Sequence, residues 1–490
     1  MDFFIVGAGC VGLVMAAQLT RKFPSATFSI LEREPSLGGT WHHNTYPGCA
    51  VALPCVTYSM SFLPCRTYRH WFPSQGEILQ YLHHVASTYE IQKHLHLNTE
   101  FLHAHWNEST KSWTVVCKEI GKDKPSEQQC RFLISAMGQL VEPSYAGIQE
   151  IDKFQGRIVH CNRWDDTVDL HGKRVVVRGN GASAAQVIPS IVHQVGSLTQ
   201  LIRTPQAYSK QENSRTSPLT SWLFRNVPLF LRAWRYWNWI KLESRFSQFQ
   251  RSARGEATRK GNVELCHEFT KEKAPRKYWD LLLPDYGKEC KRIIGDFGYL
   301  ASLHAANSTL LQDAVVRCNS SGVVAESGAH YAADVIIFAT GYNTQFHHLN
   351  IIGSDNLSLS SKWNSPSPST LPHYQTTAVA GFPNFFMLYG PNAAPPNMSA
   401  IYCFENYVDL ILGVVRPILD KGGGLVEVRE EAEREFMGSV IEALGEGVWG
   451  SCVVEAAEGR RRGSVYLYPW GNLRMFWETR WLDEKAWVYD

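Results

Sequence analysis

Two glycine-rich turns are the best candidates in this chain for binding a phosphate-containing ligand. Each turn follows an apolar run typical of a strand and opens an apolar helical run. The first turn is FFIVGAGCVG, with Gly7, Gly9 and Gly12, and the second is RVVVRGNGASA, with Gly179, Gly181 and Ala184. Such a turn lets the backbone approach a pyrophosphate closely and places it at a helix N-terminus. The sequence therefore predicts two dinucleotide sites.

The residue that follows the next strand distinguishes the two sites. Glu32 follows the strand-like run FSIL and Arg203 follows SLTQLI, each about 20 positions beyond its turn. A carboxylate at this place accepts hydrogen bonds from ribose hydroxyls, whereas a guanidinium can bind a 2′-phosphate through two parallel hydrogen bonds. We therefore predict FAD at the first turn and NADPH at the second.

Composition argues against nucleic acid and metal as ligands. The chain of 490 residues has 48 Lys and Arg against 46 Asp and Glu, which is too balanced for a nucleic-acid-binding surface. Its 12 cysteines include no C-x-x-C pair, so neither a zinc site nor a dithiol centre is predicted. The alternating His94, His96, His103 and His105 are better explained as residues along strand faces than as metal ligands.

No targeting or membrane-spanning segment is predicted. The first strand begins at Phe3, which leaves no room for a signal peptide, and the longest nearly apolar run, 3–17, is too short to cross a bilayer. We therefore expect a cytoplasmic enzyme. The segment 218–249 mixes aromatic and basic residues, as a helix on a membrane surface would. Its arginines are not separated onto one face, so we expect the core of a helical insertion or a wall of the substrate cleft, with membrane association as an open alternative.

The order of strand-like and helix-like segments predicts an α/β fold. It has two dinucleotide-binding, Rossmann-like domains and a helical insertion. We expect the chain to divide into an FAD-binding part at 1–140, an NADPH-binding part at 150–205, the helical insertion at 206–287, the rest of the NADPH-binding domain at 288–340 and the rest of the FAD-binding domain at 341–490.

Longer motifs resemble the Baeyer–Villiger monooxygenases, a family of class B flavin monooxygenases. GGTWHHNTYPG at 38–48 is similar to the family's loop after the second flavin strand, and FQGRIVHCNRWD at 154–165 matches its fingerprint of Phe, Gly, His and Trp followed by Pro or Asp. The similarity continues through LIRTP, ECKRIIGDFGYLASLH, ATGY and GFPNFFMLYGPN. The resemblance implies an FAD- and NADPH-dependent enzyme that uses O2 to insert one oxygen atom beside a ketone carbonyl, giving an ester or lactone. The aromatic insertion suggests a sizeable apolar ketone.

The resemblance also implies roles for residues at matching positions. Arg292 would be the catalytic arginine over the flavin, and His160 would be a hinge or structural residue rather than an acid or base. The other implied contacts are Gly39, Thr40, Trp41 and Tyr46 with the flavin cofactor, and Ser183, Arg203, Thr204 and Lys291 with NADPH.

One position departs from the family pattern. The family loop normally ends in an Asp that pairs with the catalytic arginine, and this chain has Ala52 there, with no Asp or Glu between Glu34 and Glu77. A missing carboxylate leaves a more positive field over the flavin and removes a possible proton acceptor. Three alternatives to ordinary ketone oxidation stay open: N- or S-oxygenation, leakage to hydrogen peroxide, and a flavin-binding scaffold or cyclase without oxygenation.

Overall fold

The computed structural model describes residues 1–284, 293–343, 346, 349–364, 371–451, 454–455, 461–462 and 465–490. Lys291 and Arg292 therefore lie outside the described residues. Two parallel sheets organise the described part, and each of them contains a strand that leads into one of the glycine-rich turns.

The first sheet combines strands from both ends of the chain. Its strands are fully buried apolar runs for the most part, as expected when a parallel sheet is covered on both faces. In spatial order they are Phe385–Met387, Phe132–Ser135, Phe3–Val6, Phe28–Leu31 and Leu95–His96. One face is covered by the helices Cys10–Lys22, Gln75–Thr88 and Ala400–Lys421, and the other by a second layer with the strands Thr99–Asn107, Ser112–Glu119, Ser126–Cys130 and Ile351–Ile352.

The second sheet is also parallel and five-stranded. In spatial order its strands are Ser308–Gln312, Ser197–Ile202, Arg174–Arg178, Val335–Phe338 and Arg157–His160. Helix Ala182–Ile191 packs on one face, and a three-stranded antiparallel unit packs on the other, with strands Val315–Asn319, Gly322–Ala325 and His330–Ala332.

The insertion between these strands is helical, as predicted. Its helices are Pro218–Asn226, Phe230–Ser244, Ala253–Lys273 and Trp279–Leu282. Ser217 and Ser252 cap the first and third of them by accepting hydrogen bonds from backbone amides in the first turn. The observed α/β architecture confirms the predicted fold class, while the exact domain boundaries stay predictions.

Shorter elements complete the chain. The remaining α-helices are Thr40–His43, Tyr299–Ser302, Leu359–Trp363, Glu430–Glu446 and Asn472–Glu478. The short strands include Glu142–Pro143, Tyr208–Lys210, Ile294–Asp296, Tyr342–Asn343, Val426–Val428, Val454–Glu455, Arg461–Arg462 and Trp487–Tyr489. Among the described residues, no helix has both the length and the apolar character that crossing a bilayer would require.

Candidate active site

The first glycine-rich turn forms an open cradle at a helix N-terminus. Gly7 has a φ of +110°, a backbone conformation that favours glycine, and a Cβ there would lie 2.6 Å from the carbonyl oxygen of Ala136. Helix Cys10–Lys22 starts after Gly9, and no described side chain caps it. Its first amides are therefore free to bind an anion, which fits a pyrophosphate.

Glu32 lies beside this cradle, at the carboxyl end of the neighbouring strand. One of its carboxylate oxygens accepts from the amide of Ala8 at 2.8 Å, and the other accepts from the amide of Glu34 at 3.0 Å. Burial raises the pKa of Glu32 above its usual range, and these two hydrogen bonds oppose that rise. The carboxylate is thus oriented by backbone and keeps lone pairs for ribose hydroxyls.

The second glycine-rich turn repeats this geometry. Gly179 has a φ of +122°, and a Cβ there would lie 2.5 Å from the carbonyl oxygen of Ala339. Helix Ala182–Ile191 begins after Gly181 without a side-chain cap among the described residues, and a Cβ on Gly181 would meet nothing within 4 Å. Ala184 is fully buried in the packing of this helix against the sheet. Open space at Gly181 and a free helix start fit a second pyrophosphate.

Two arginines lie at the carboxyl ends of neighbouring strands of the second sheet. Arg203 is exposed just after strand Ser197–Ile202, and the adjacent Thr204 is exposed as well. Arg178 ends the next strand, its buried Nε has no hydrogen-bond partner among the described residues, and burial together with the charge of Arg203 lowers its pKa. Sequence reasoning missed Arg178, although an arginine directly before Gly179 in a valine-rich strand is a visible signal.

A cavity of about 780 Å³ extends from the first turn. Glu32, Gly39, Thr40 and Trp41 line it together with Gly7 and Gly9, so the structure brings most of the predicted flavin contacts together. Gln139 also lines it: its amide nitrogen donates to the carbonyls of Tyr389 and Gly390, and its buried Oε1 has no partner among the described residues. An acceptor held in this way fits a polar ligand edge.

A second cavity, of about 1330 Å³, lies at the start of the helix that follows the second turn. Ala182 and Gln186 of that helix line it, opposite residues of helix Ala253–Lys273. Five residues contribute to the lining of both cavities: Leu53, Arg245, Gln248, Asn262 and Ile293. Three of them, Arg245, Gln248 and Asn262, belong to the insertion, which thus contributes to a wall common to both cavities. The sequence analysis expected a cleft wall from the insertion but did not identify these three polar residues.

Ala52 lies on the wall of the second cavity and is exposed to it. Its own loop offers no carboxylate, but Glu268 and Glu272 line the same cavity from helix Ala253–Lys273. Among the described residues, the carboxylates that line this cavity therefore come from the insertion rather than from the loop where the family pattern has its Asp. Nothing local in the sequence around Glu268 and Glu272 indicates this placement.

Trp41 and Tyr46 lie on the same loop but have different surroundings. The indole nitrogen of Trp41 donates to the hydroxyl of Tyr58 at 3.1 Å on the wall of the first cavity. Tyr46 lines neither cavity; its buried hydroxyl donates to Oε1 of Gln186 at 2.9 Å, and Ser183 is near enough to lower its pKa against the rise caused by burial. The structure thus places Tyr46 between the two nucleotide domains, and its contact with the flavin stays a prediction.

The contact between the domains centres on Gln186. Its amide nitrogen donates to the carbonyl of Ala50 at 2.9 Å while its oxygen accepts from Tyr46. Gly48 has a φ of +83°, and a Cβ there would overlap the backbone carbonyl of Gln186. The loop 46–50 of the first domain therefore packs directly against helix Ala182–Ile191 of the second.

His160 is buried at the end of strand Arg157–His160. Its Nδ1 accepts from the amide of Asn162 at 3.1 Å, so that nitrogen carries no proton. Its Nε2 lies 3.5 Å from the hydroxyl of Thr340, in the turn that follows strand Val335–Phe338. Burial lowers the pKa of His160, against the opposing effect of hydrogen bonds to the backbone at Ser144 and Gly341. These contacts suit the structural role expected of it.

Acidification is expected to destabilise the protein partly through His160. Its folded pKa lies below the unfolded value of about 6.5, so its contribution to the free energy of unfolding is complete above that pH and is lost as the pH falls below it. One such group changes this free energy by at most about 1.4 kcal/mol per pH unit. Urea unfolding between neutral pH and pH values below 6 should show a shallower pH dependence for His160→Gln than for the unsubstituted protein. Equal slopes would contradict a neutral buried His160.

Comparisons with known proteins agree with this geometry. A family model described as an NAD(P)-binding Rossmann-like domain matches residues 5–91, which include the first turn and Glu32. The chain is 30% identical over 490 residues to a Baeyer–Villiger monooxygenase of Pseudomonas aeruginosa, an alignment that covers 98% of this chain and 90% of that protein. This chain belongs to the Baeyer–Villiger monooxygenase family. The predicted family and enzyme class, a flavin-dependent monooxygenase, are thereby confirmed.

Other relatives of this Baeyer–Villiger family member carry related names. An FAD-binding monooxygenase of Aspergillus niger is 31% identical over 460 residues, with 90% of this chain and 74% of that protein covered. Among solved structures, cyclohexanone monooxygenase in a closed crystal form and OTEMO in complex with FAD and NADP each give a TM-score of 0.85 at 22% identity, covering 100% of this chain and 99% of theirs. These structures show the same fold, and the predicted pair of FAD and NADPH is confirmed at the level of the family.

Proposed function

We propose that this chain oxidises a sizeable apolar ketone to an ester or lactone, with FAD at the first glycine-rich turn and NADPH at the second. The observation that carries the proposal is the wall shared by the two cavities, because a nicotinamide bound in the second cavity would lie next to a flavin bound in the first. Bound NADPH supplies a hydride and bound FAD accepts it and activates O2. The cytoplasmic location stays a prediction.

The proposed roles of the first domain follow from its contacts. The free amides at the start of helix Cys10–Lys22 hold the FAD pyrophosphate, and Glu32 accepts from a ribose hydroxyl. Gly39, Thr40 and Trp41 pack along the flavin cofactor on the cavity wall. Phe249, Phe404 and Trp449 line the same cavity and exclude water from the reacting atoms, which strengthens every electrostatic interaction there.

The proposed roles of the second domain concern NADPH. The turn from Gly179 to Ser183 holds its pyrophosphate at the free start of helix Ala182–Ile191. Arg203 and Thr204 contact the 2′-phosphate, Lys291 joins them as the family resemblance implies, and Arg178 adds a second positive charge on the adjacent strand. Arg292 is proposed to place its positive charge beside the flavin, where negative charge develops on the oxygen atoms that come from O2.

Two measurements test the proposal in sequence. Adding NADPH to the flavin-loaded protein without oxygen should bleach the flavin absorbance, and adding ¹⁸O2 with a panel of bulky apolar ketones should then give esters or lactones that carry one labelled atom. An unbleached flavin would favour the scaffold or cyclase alternative. A bleached flavin with labelled sulfoxides or N-oxides, and no esters, would favour heteroatom oxygenation.

Heteroatom oxygenation remains the second candidate because Ala52 leaves the second cavity without a carboxylate from its own loop. Ala52→Asp is expected to raise the share of NADPH that ends in ester or lactone rather than hydrogen peroxide by several-fold, since about 1 kcal/mol of added electrostatic preference corresponds to roughly 5-fold. Ala52→Asn, of similar size but uncharged, should not do so. An unchanged product ratio in Ala52→Asp would refute a role for the missing carboxylate.

A further inference from the structure

One face of helix Phe230–Ser244 in the insertion is apolar and exposed. Leu229, which precedes the helix, is 68% exposed, and Tyr236, Trp237 and Ile240 are 70%, 53% and 52% exposed. Residues at positions 229, 233, 236, 237 and 240 recur at the spacing of one helix face. Large side chains of this kind are normally buried, so a continuous stripe of them indicates a surface that contacts something else.

The opposite face of this helix forms hydrogen bonds with the rest of the protein, which keeps the apolar face towards solvent. The guanidinium of Arg235 is buried and donates to the carbonyls of Val56 and Ser59, both at 2.8 Å. At the end of the helix, the side chain of Asn397 donates to the carbonyl of Leu242 at 2.6 Å, and the amide of Asn472 donates to the carboxylate of Glu243 at 3.0 Å. The helix is thus anchored near its middle and at its C-terminal end, and its apolar stripe cannot turn inwards without breaking these bonds.

The preceding helix, Pro218–Asn226, carries further exposed apolar residues. Leu219 and Trp222 are exposed on it, and its buried Phe224 contacts Phe230 of the next helix with ring centroids 6.0 Å apart. The two helices therefore belong to one packed unit. We call its exposed residues Leu219, Trp222, Leu229, Tyr236, Trp237 and Ile240 the aromatic face.

All charged side chains in the segment that carries the aromatic face are positive. No Asp or Glu occurs between Glu212 and Glu243, whereas Arg225, Arg232 and Lys241 in that interval are exposed. The ammonium of Lys241 lies 5.2 Å from the centroid of the Trp237 ring, so charge and aromatic surface are neighbours. Over the whole chain the net charge is only +2, which makes this interval an unusual concentration of one sign.

We propose that the aromatic face binds the surface of an anionic lipid bilayer. Tryptophan and tyrosine side chains are suited to the depth of lipid head groups, and exposed arginine and lysine are attracted by anionic ones. A membrane rich in anionic lipid offers apolar depth and negative charge together, which matches both features of this segment. The helix is anchored on its inner face and lies in the plane of the membrane surface without crossing it.

The helix that carries most of the aromatic face also contributes to the wall of the first cavity. Leu242, in the last turn of the same helix, lines that cavity, and so do Arg245, Gln248 and Phe249 just beyond it. An apolar ketone dissolved in lipid would thus meet the enzyme at the element that walls its active site, a consequence that rests on the proposed function. Membrane binding itself does not depend on ketone oxidation.

Vesicle flotation of the flavin-loaded protein tests the proposal. We expect the protein to float with vesicles of phosphatidylcholine plus phosphatidylserine, weakly with phosphatidylcholine alone, and less at high salt. The double variant Trp237→Ser with Ile240→Ser should lose at least roughly 10-fold in bilayer affinity, because two large apolar side chains no longer enter the interface. Reversing Arg232 and Lys241 to Glu should cost at least roughly 25-fold, at about 5-fold per basic residue removed.

A matched control tests whether vesicle binding depends on the aromatic face or on any exposed apolar side chain. Ile441 is exposed on helix Glu430–Glu446, among acidic residues, and Ile441→Ser should leave vesicle binding unchanged. Every variant should keep its flavin and its turnover of a water-soluble ketone, which shows that it is folded. The proposal is overturned if the unsubstituted protein fails to bind phosphatidylserine vesicles at low salt, or if it forms a dimer that the Trp237 and Ile240 variant dissociates while vesicles remain unbound.

Discussion

Gly12→Ala is expected to yield a protein without bound flavin. A Cβ on Gly12 would overlap the carbonyl oxygen of Gly7, and backbone of this kind cannot move aside as a flexible side chain would. Helix Cys10–Lys22 would have to shift away from the turn, which disrupts the cradle for the pyrophosphate and costs several kcal/mol of folding free energy, about 3 or more. The ratio of flavin absorbance to protein absorbance after purification measures the effect.

Gly438→Ala is the matched control for this substitution. Gly438 lies within helix Glu430–Glu446, and a Cβ there would meet nothing within 4 Å. Alanine is the better helix former, so this variant should keep its flavin and gain about 0.5–1 kcal/mol in stability. If Gly12→Ala retained stoichiometric flavin, the tight packing of the helix against the turn would not be needed for binding.

Arg203→Glu is expected to remove the preference for NADPH over NADH. The carboxylate would lie where the proposed 2′-phosphate binds, replacing attraction with repulsion, and losing one partner of a close charge pair costs about 2–5 kcal/mol. The KM for NADPH should rise by at least about 100-fold, which corresponds to roughly 2.7 kcal/mol. The KM for NADH should change much less, because NADH lacks the 2′-phosphate. Steady-state oxidation of both cofactors gives the comparison.

Lys173→Glu provides the matched charge reversal on the same sheet. Lys173 is exposed directly before strand Arg174–Arg178, at the end of the sheet opposite to Arg203. This variant should keep the KM for NADPH. Arg178→Met should raise it by a smaller factor than Arg203→Glu, since it removes a positive charge without adding a negative one. Equal KM values in Arg203→Glu and the unsubstituted protein would disprove the proposed 2′-phosphate site.

The sequence predicted the two nucleotide cradles well because their determinants are local. A glycine at each turn and an acid or base at the end of the next strand lie within one strand, helix and strand, so spacing alone relates Gly7 to Glu32 and Gly179 to Arg203. Parallel pairing then places these residues at the same edge of each sheet. The fold class followed from the same local patterns.

The parts that the sequence did not reveal depend on contacts between distant segments. Gln186 has no feature that distinguishes it from any helical glutamine, and only the approach of the loop 46–50 gives it its partners. Arg245 and Asn262 reach both cavities because the insertion folds over them. The aromatic segment was expected to form a core or a cleft wall, with association with a membrane surface as an open alternative. The structure assigns Leu242 to the wall but leaves Tyr236, Trp237 and Ile240 exposed.

The pairing of Gln186 with the opposite domain constrains how the enzyme can move. Both ends of this buried amide are satisfied by the loop 46–50, and each polar atom left buried without a partner costs about 1–3 kcal/mol. A small sliding displacement of one domain on the other would therefore break the hydrogen bonds of Gln186 before new ones could form. The free energy of the protein would rise steeply over that displacement. Any reorientation of the NADPH-binding domain relative to the FAD-binding domain is then expected to be a discrete step between two hydrogen-bonded arrangements rather than a gradual rotation.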